Sequence, residues 1–545
     1  MDVNVYSRRK DRDSEEEDDL DTRTSERMKS RSFLPRYSAD VLHRLQSKGK
    51  GGNTMLYMVA GIFAFGIFLT VVNIYELRKV QVDSGPGEKS DSGRRKQHVV
   101  CVWGKNQKTG YLKHVYNVFE RIGYSIGTDR NVWDVLWSHD YPFKEFESQI
   151  RNLQPHQKVN HFPGTGYITN KVNLATSDIW FIPKAFKMPQ DKPLLLKYSG
   201  EHPQKMWVQK SNNHRGIKIK KISDLDLSSG GTFVQEFVDK PFLIDRRKFD
   251  IGIYTTLTSI DPLRVYILDS EVLIRFCPQD YYPFDPENVD KYVVGDDYTP
   301  TWQMPSLKNI YEQNAHTHKE TISTYLRQHG RNDTKLWDDI RQAIMEVYIS
   351  KEPNLIGAAK SYKSTRNFFE MVRFDFVVDE DLHIYLMEVN MSPNLSSGHF
   401  SQNKLLYEQV VFNLLSLVGV ARGVTNSIYQ SYTDEINMQV SYKDVQVFTE
   451  TCMSPKCQRS CEDMECQLCE KCLTFDMRLT LQLAYMEHVD RRNCRRVFPP
   501  PMTQTEAKSW QESKDTLYMK SLNTKNKLMH RWFRGKCIMD PSWCQ

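Results

Sequence analysis

The stretch from Arg373 to Asn394, RFDFVVDEDLHIYLMEVNMSPN, predicts a β-hairpin that presents polar side chains. Two runs rich in aromatic and branched residues, VRFDFVV and HIYLMEV, flank an acidic turn at residues 379–381. Such residues favour extended chain, and an Asp-rich turn permits chain reversal. The alternative is a surface hairpin with incidental acids. The acids of the second run interrupt an otherwise apolar strand, which favours a site.

Three oxygen-bearing side chains of this hairpin are expected to converge. With a two-residue turn, Asp375 lies opposite Leu386. Glu388 and Asn390 then follow Leu386 by two and four residues, hence on the same face. Carboxylates held this close repel one another unless a cation lies between them, and carboxylate and amide oxygens suit Mg²⁺. The pattern therefore predicts a magnesium site formed by Asp375, Glu388 and Asn390.

The chain as a whole has 545 residues, with 74 basic and 68 acidic side chains and a formal net charge of +6. This length suffices for two or more domains with a substantial core. The near balance of charge gives no support to nucleic-acid binding, although a local basic cluster could receive an acidic partner.

An uncharged segment near the N-terminus predicts a membrane anchor. Residues 54–75, TMLYMVAGIFAFGIFLTVVNIY, carry no charge, and a helix of this length crosses a bilayer core. The segment follows a polar stretch, so it is not typical of a cleaved signal peptide. We therefore predict a single-pass membrane protein. Basic residues flank both ends of the span, which leaves its orientation open.

The cysteines are concentrated in the C-terminal part of the chain, where nine of the eleven lie after residue 450. Dense clustering favours disulfides and an oxidising compartment. Asn332 also begins an acceptor triplet for N-linked glycans, NDT. The alternative is a zinc site, because Cys466, Cys469 and Cys472 have the proximity of metal ligands.

Composition divides the chain into five predicted segments. Residues 1–53 form a disordered polar tail, residues 54–75 the transmembrane helix, and residues 76–97 a linker. Residues 98–423 alternate strand-like and helix-like segments, as in an α/β or α+β enzyme domain. Residues 424–545 form a Cys-rich C-terminal extension.

Basic residues upstream of the hairpin are candidates for phosphate contact. Lys210 ends a strand-like run, and Arg215 and Gly216 lie in the polar loop that follows, where glycine lets the backbone approach phosphates closely. Loop cations of this kind are often merely solvated. Arg264 and Arg275 lie within apolar strands, so each needs either an internal salt bridge or a site.

Two further segments complete a predicted nucleotide site. Gln235 and Glu236 lie in FVQEFV, a run suited to a strand and hinge beside an adenine. Lys248 and Asp250 share one face of the next strand. Together with the hairpin, these parts suggest a clamp that holds ATP between basic side chains and a magnesium-binding face. Such a clamp activates a carboxylate as an acyl phosphate, which an amine then attacks.

At these residues the chain resembles the tubulin tyrosine ligase-like family, from about residue 159 to residue 420. The resemblance implies an α/β (α+β) fold with an ATP-grasp-like ligase domain, here preceded by a single transmembrane helix. The order of the motifs makes it more specific than any one of them. The motifs are NHFPG at 160–164, FIPK at 181–184, KFD at 248–250, DPLRVY at 261–266 and EVNMSP at 388–393.

The resemblance implies a role for each matching residue. Asp375, Glu388 and Asn390 hold magnesium, and Lys248 and Arg275 are the catalytic cations that contact the phosphates or the activated intermediate. The residues implied in ATP binding are Lys210, Arg215, Gly216, Gln235, Glu236, Phe237, Lys248 and Asp250.

The chain departs from the family pattern on the phosphate side. The family carries an Arg two residues after the Asp of KFD, where this chain has Gly252. The phosphate loop has Lys218 in place of a Gly and Ser211 in place of a Pro, and a His-Leu-Thr-Asn motif after Arg275 is absent. Loss of a phosphate-facing guanidinium could cost several kcal/mol of transition-state stabilisation.

Two functions are consistent with the sequence. The first is an ATP- and Mg²⁺-dependent ligase that adds glutamate to glutamate side chains of an acidic protein tail, with tubulin as the family's usual acceptor. The second is a catalytically impaired, membrane-tethered scaffold of the same fold, which Gly252 favours and the intact magnesium set opposes. A tubulin acceptor requires a cytosolic catalytic domain, whereas the Cys-rich extension indicates a lumenal one.

Overall fold

The computed structural model describes residues 98–545 except 105, 106, 108, 212–216, 423–431 and 512–516, and describes residues 61, 65–68 and 70 before them. The chain forms two units, Met1–Ser92 and Gly93–Gln545. The predicted tail and linker, most of the predicted membrane span, and the loop with Arg215 and Gly216 lie outside the described residues. Within the described part, no helix is both long and apolar enough to cross a membrane.

The strands lie mainly between the N-terminal region and the hairpin. They are β1 Val99–Trp103, β2 Ser125–Ile126, β3 Val135–Ser138, β4 Lys158–Val159, β5 Ala185–Lys187, β6 Trp207–Ser211, β7 Lys218–Lys220, β8 Thr232–Glu236, β9 Phe249–Ile260, β10 Leu263–Leu268, β11 Leu273–Phe276, β12 Thr299–Pro300, β13 Glu370–Val378, β14 Ile384–Asn390 and β15 Cys494–Phe498.

Helices separate these strands and dominate the C-terminal part. They are α1 Lys113–Arg121, α2 Glu147–Arg151, α3 Gly166–Thr169, α4 Lys171–Ala175, α5 Lys192–Glu201, α6 Lys308–Gln313, α7 His318–Gln328, α8 Asp333–Ala359, α9 Lys404–Leu417, α10 Tyr432–Gln439, α11 Tyr442–Val445, α12 Thr449–Met453, α13 Pro455–Arg459, α14 Phe475–Asp490, α15 Gln504–Ser509, α16 Leu517–Ser521 and α17 Thr524–Met539. The predicted mixed α/β fold is confirmed.

The strands form three sheets. The first is parallel, with the order β2-β1-β3-β4. The second is antiparallel, with the order β5-β8-β6-β7, and carries Lys210 and Gln235. The third has seven strands and is built around β9. The candidate site lies on this third sheet.

Strand β9 organises the central sheet because it is long enough to pair with three neighbours. Its first half pairs with β11 and its second half with β10 along one edge, while β13 pairs along the other edge. Ile251, Ile253 and Leu257 alternate along β9 into the main hydrophobic core. Asp250 and Gly252 lie on either side of Ile251 in sequence and therefore face the other side of the sheet.

The hairpin is present, but its predicted register is wrong. The turn covers five residues, and the Asp379 N–H donates to the His383 carbonyl at 3.0 Å. As a result Phe376, not Asp375, lies opposite Leu386. Leu382 has a φ of 66°, a left-handed conformation that the alternation of side chains does not encode.

A β-bulge restores the predicted convergence. The register shifts after the Phe376–Leu386 pair, so that Asp375 lies opposite Glu388 and Met387 is the extra residue. Leu386 and Val389 both remain in the core, because the bulge changes the parity of the strand between them. Without it, Glu388 would share the core-facing side of Leu386. Bulges are frequent next to active sites, since they redirect a side chain in this way.

The predicted Cys-rich extension contributes a strand to the central sheet, since β15 pairs antiparallel with β10. Six of its cysteines form three disulfides, Cys452–Cys469, Cys457–Cys466 and Cys461–Cys472, and Cys537–Cys544 forms a fourth. The zinc alternative is wrong, because its three proposed ligands each belong to a different disulfide.

Candidate active site

The face of the central sheet opposite Ile251 and Ile253 collects acidic and basic side chains from neighbouring strands. Asp250 lies on β9, Arg275 is its cross-strand partner on β11, and Asp375 on β13 lies opposite Gly252. Alternation along each strand places apolar neighbours in the core and these polar residues together. Three segments remote in sequence therefore meet at one place.

Arg275 connects two of the acids. Its Nε and Nη2 donate to the two carboxylate oxygens of Asp250 at 3.0 and 2.7 Å, and Nη2 also reaches Asp375 Oδ2 at 3.0 Å. Burial raises the pKa of Asp250, and the charge on Asp375 adds to that effect, while Arg275 opposes it. The Arg275 side chain is 16% exposed, so part of it reaches the solvent-facing space beside the two acids, called the cleft below.

A second guanidinium, Arg373, shares the same carboxylate. Arg373 Nε and Nη2 donate to Asp375 Oδ1 and Oδ2 at 2.6 and 2.8 Å. The side chain is buried, and it lies over Gly252. Arg373 is not among the site residues predicted from the sequence, although its place two residues before Asp375 puts it on the same face of the strand.

Glu388 and Asn390 complete the predicted magnesium set. The Asn390 amide nitrogen lies 2.8 Å from Asp375 Oδ2 and 3.2 Å from Glu388 Oε1, so the three side chains are in contact. Lys171, at the start of α4, pairs with Glu388 Oε2 at 2.7 Å. Burial acts to raise the pKa of Glu388, but Lys171 and Asn390 outweigh it and lower the pKa to about 2.

This donor set fits magnesium. Two carboxylates and an amide, which offers an oxygen as well as an NH₂ group, are the ligand types that Mg²⁺ prefers. Elsewhere among the described residues, as here, no group of three or more His, Cys, Asp or Glu has metal-binding geometry. The predicted set therefore depends on the amide of Asn390 as well as on the carboxylates of Asp375 and Glu388.

Two lysines, half-buried Lys210 and buried Lys248, extend the basic side of the cleft. Lys210 donates to Gln235 Oε1 at 3.0 Å, and Gln235 in turn donates to the Pro183 carbonyl at 3.1 Å. Lys248 lies 5.0 Å from the ring centre of Phe237. Burial lowers the pKa of Lys210 to about 8 and also lowers that of Lys248. Ammonium groups held this way favour an anionic ligand, which would stabilise their charge.

Glu236 follows Gln235 in the chain but does not share its hydrogen-bond partners. It accepts a hydrogen bond from the Tyr198 hydroxyl at 3.3 Å and pairs with Lys205 at 3.1 Å. A cavity of about 260 Å³ adjoins Glu236, and Lys184 and Tyr385 contribute to its lining. The structure thus separates the predicted adenine segment into a buried Gln235 and a Glu236 that borders a cavity.

The region that contains these residues is similar to known proteins. Residues 148–427 match the sequence family described as the Tubulin-tyrosine ligase family. The chain is 43% identical over 462 residues, 82% of its own length and 87% of the relative's, to the "Probable tubulin polyglutamylase ttll-15" of Caenorhabditis elegans.

Two human relatives share a shorter region. The chain is 30% identical over 319 residues to the tubulin monoglutamylase TTLL4 of Homo sapiens, which covers 55% of the chain and 26% of the relative. It is 27% identical over 317 residues to the tubulin polyglutamylase TTLL6 of Homo sapiens, which covers 54% of the chain and 35% of the relative. The chain thus spans most of the worm relative and less than half of each human one.

Proposed function

Because the chain belongs to the tubulin-tyrosine ligase family, we propose that it is an ATP-dependent ligase that adds glutamate to glutamate side chains of an acidic protein tail. The observation that carries this proposal is the contact between Asp375, Glu388 and Asn390, with Arg275 against the same carboxylate. That arrangement combines a magnesium-binding face with a phosphate-binding cation. The names of the relatives support the choice of glutamate as the donor.

In the proposed reaction, a γ-carboxylate oxygen of the acceptor attacks the terminal phosphorus of ATP. ADP leaves, and the product is an acyl phosphate. The amino group of free glutamate then attacks the acyl carbon and loses a proton, inorganic phosphate leaves, and an amide bond forms. Charge on the transferred phosphoryl group is the main obstacle, so fixed cations and a metal are the expected catalysts.

Different residues of the cleft contact the phosphates and hold the metal in this proposal. Arg275, Lys248 and Lys210 offset phosphate charge, and the hydrogen bond from Lys210 to Gln235 fixes the lysine before the nucleotide arrives. Asp375, Glu388 and Asn390 would hold Mg²⁺. When bound, the metal supplies positive charge to the phosphate oxygens.

The compartment decides which acceptor the ligase meets. We propose that residues 54–75 anchor the chain in a membrane. In the cytosol the acceptor is tubulin; in an oxidising compartment it is another protein with an acidic tail. The four disulfides favour the oxidising side, because such bonds persist there and are rare in the cytosol.

The test is incorporation of labelled glutamate by the purified full-length chain, with ATP and Mg²⁺. Tubulin and a glutamate-rich peptide serve as separate acceptors. We expect ATP-dependent label in at least one acceptor and its loss in Glu388→Gln. Glu380→Gln is the matched control, because Glu380 is an exposed carboxylate on the turn of the same hairpin. Absence of label in both acceptors, or label that survives Glu388→Gln, contradicts the proposal.

A further inference from the structure

Gly252 and Arg373 are neighbours across two paired strands. Gly252 lies opposite Asp375, and Arg373 lies opposite Tyr254, so the two residues are diagonal neighbours on the same face of the sheet. A Cβ added at Gly252 would lie 2.8 Å from Arg373 Cδ, 3.1 Å from Arg373 Nε and 3.3 Å from Asp375 Oδ1. The Arg373 side chain therefore fills the space in which a side chain at position 252 would begin.

Space, rather than backbone conformation, accounts for the glycine. Gly252 lies in the middle of β9 and does not have the positive φ that favours glycine elsewhere in this chain. Glycine in a strand interior is destabilising unless another group approaches closely. Here the approaching group is the stem of Arg373, which would otherwise meet a Cβ.

The position of Arg373 also concentrates positive charge. Arg275 and Arg373 both donate to Asp375, so two like-charged guanidinium groups lie within reach of one carboxylate. Such a pair is unfavourable unless enough negative charge surrounds it. Half-buried Lys210 and buried Lys248 add further cations to the same cleft. An anionic ligand with several oxygens, such as a triphosphate, would balance this excess.

We propose that Arg373 provides the guanidinium that position 252 lacks and that it contacts the transferring phosphoryl group. This inference rests on the proposed function for the nucleotide site. Gly252 is then the residue that makes room for Arg373 and is not a sign of lost activity. The scaffold alternative loses its main support, since the cleft retains two arginines that converge on Asp375.

The test exchanges the two residues in the full-length chain. Arg373→Gly is expected to lower kcat for glutamate incorporation about 10²–10³-fold, the effect of removing a preorganised charge donor. Gly252→Arg alone is also expected to be impaired, because its Cβ collides with Arg373. The double variant, Gly252→Arg with Arg373→Gly, is expected to recover at least about tenfold over Arg373→Gly, a coupling between neighbouring sites. Wild-type activity of Arg373→Gly, or a folded double variant that recovers nothing, overturns the inference.

A conservative pair keeps the test decisive if the exchanged variant does not fold. Arg373→Lys keeps a positive charge and Arg373→Gln removes it. We expect Arg373→Lys to retain clearly more activity than Arg373→Gln at equal thermal stability. Equal losses in the two variants would assign Arg373 a purely structural role and would also overturn the inference.

MgATP binding separates this inference from the proposed function. A ligand that binds the native state raises its unfolding temperature, so the shift produced by MgATP can be measured without an acceptor. We expect the shift to be lost in Arg373→Gly and regained in the double variant. If the wild type never incorporates glutamate but the shift follows the exchange, the proposed function fails and the inference stands. If the wild type incorporates glutamate and neither readout responds to Arg373, the inference fails alone.

Discussion

Arg264 and Arg275 each lie within an apolar strand of the central sheet, but the structure gives them different partners and different exposure. Arg264 lies on β10 and donates to both oxygens of Glu487 at 2.8 Å, with the two side chains 4% and 10% exposed. Arg275 lies on β11, divides its donors between Asp250 and Asp375, and remains 16% exposed. One arginine is enclosed by the fold, and the other faces the cleft.

The partners explain the difference. Glu487 also accepts hydrogen bonds from Thr258 and Tyr266, so the carboxylate that meets Arg264 is fully occupied by groups of the protein. Because Glu487 lies on α14, this ion pair holds the C-terminal extension against the sheet. Around Arg275, by contrast, the cations outnumber the acids that they contact directly once Arg373, Lys210 and Lys248 are included. A carboxylate paired with one guanidinium indicates structure, whereas a carboxylate shared by two, as Asp375 is by Arg275 and Arg373, indicates a site for a further anion.

The largest expected effect is on stability and comes from breaking the ion pair between Arg264 and Glu487. Arg264→Gln leaves Glu487 as an uncompensated buried charge, which costs about 3–5 kcal/mol of the free energy of unfolding. Urea denaturation measures the loss, and kcat of the folded protein should be unchanged. Arg151→Gln is the control, because Arg151 pairs with Glu147 at the surface and the two side chains are 50% and 59% exposed; we expect a change of at most about 1 kcal/mol. A loss of kcat at full stability in Arg264→Gln would make Arg264 a site residue.

The second effect concerns activity. Arg275→Gln should lower kcat for glutamate incorporation about 10²–10³-fold, because it removes a charge donor fixed beside the phosphoryl group. Steady-state kinetics with labelled glutamate provide the measurement. Arg246→Gln is the matched control, since Arg246 is an exposed arginine that pairs with Asp280. If Arg275→Gln unfolds the protein but leaves kcat of the folded fraction intact, both arginines are structural.

Features of this contrast that depend on neighbouring residues could be predicted from the sequence, whereas ion pairs between distant segments could not. The hairpin follows from local alternation, but its three polar side chains converge only because a bulge corrects the register. The bulge at Met387 does not follow, because the turn length depends on a left-handed Leu382. The roles of Arg264 and Arg275 could not be separated, since Glu487 lies 223 residues from Arg264 and nothing in the strand identifies it as the partner.

Arg373 shows a signal that sequence reasoning could have used. Alternation places Arg373 on the same face of β13 as Asp375. Gly252, where the family carries an Arg, is its diagonal neighbour on the paired strand β9. Recognising the pair required the register between β9 and β13, which no local pattern specifies. A sequence-based prediction of the phosphate side therefore rests on local motifs alone.

The next prediction concerns the dependence of KM for ATP on pH. Lys210 is charged below its lowered pKa of about 8, and the charges nearest to it are those of Glu388, Lys171 and Lys248. Phosphate favours the charged lysine, so ATP affinity should be constant below that pKa. As pH rises through it, KM for ATP should increase by up to about tenfold per pH unit. In Lys210→Gln the dependence should disappear, and its persistence there would assign it to another group.

The last prediction concerns the extension that Arg264 holds in place. Because eight cysteines form disulfides, the denatured, unreduced protein from cells should alkylate only at Cys101, Cys277 and Cys494, and reduction should expose the others. An oxidising compartment also predicts a glycan on Asn332, which is exposed at the start of α8. Alkylation of all cysteines without reduction, together with an unmodified Asn332, would place the chain in the cytosol and favour tubulin as the acceptor.

The most direct measurement of the central claim is the stoichiometry of ADP release to glutamate incorporation, with the full-length chain, Mg²⁺ and an acidic acceptor. The account predicts one ADP for each glutamate joined, no ADP release without the acceptor, and loss of both products in Glu388→Gln but not in Glu380→Gln. Glutamate incorporation without ADP, or ADP release that is independent of Glu388, would contradict it.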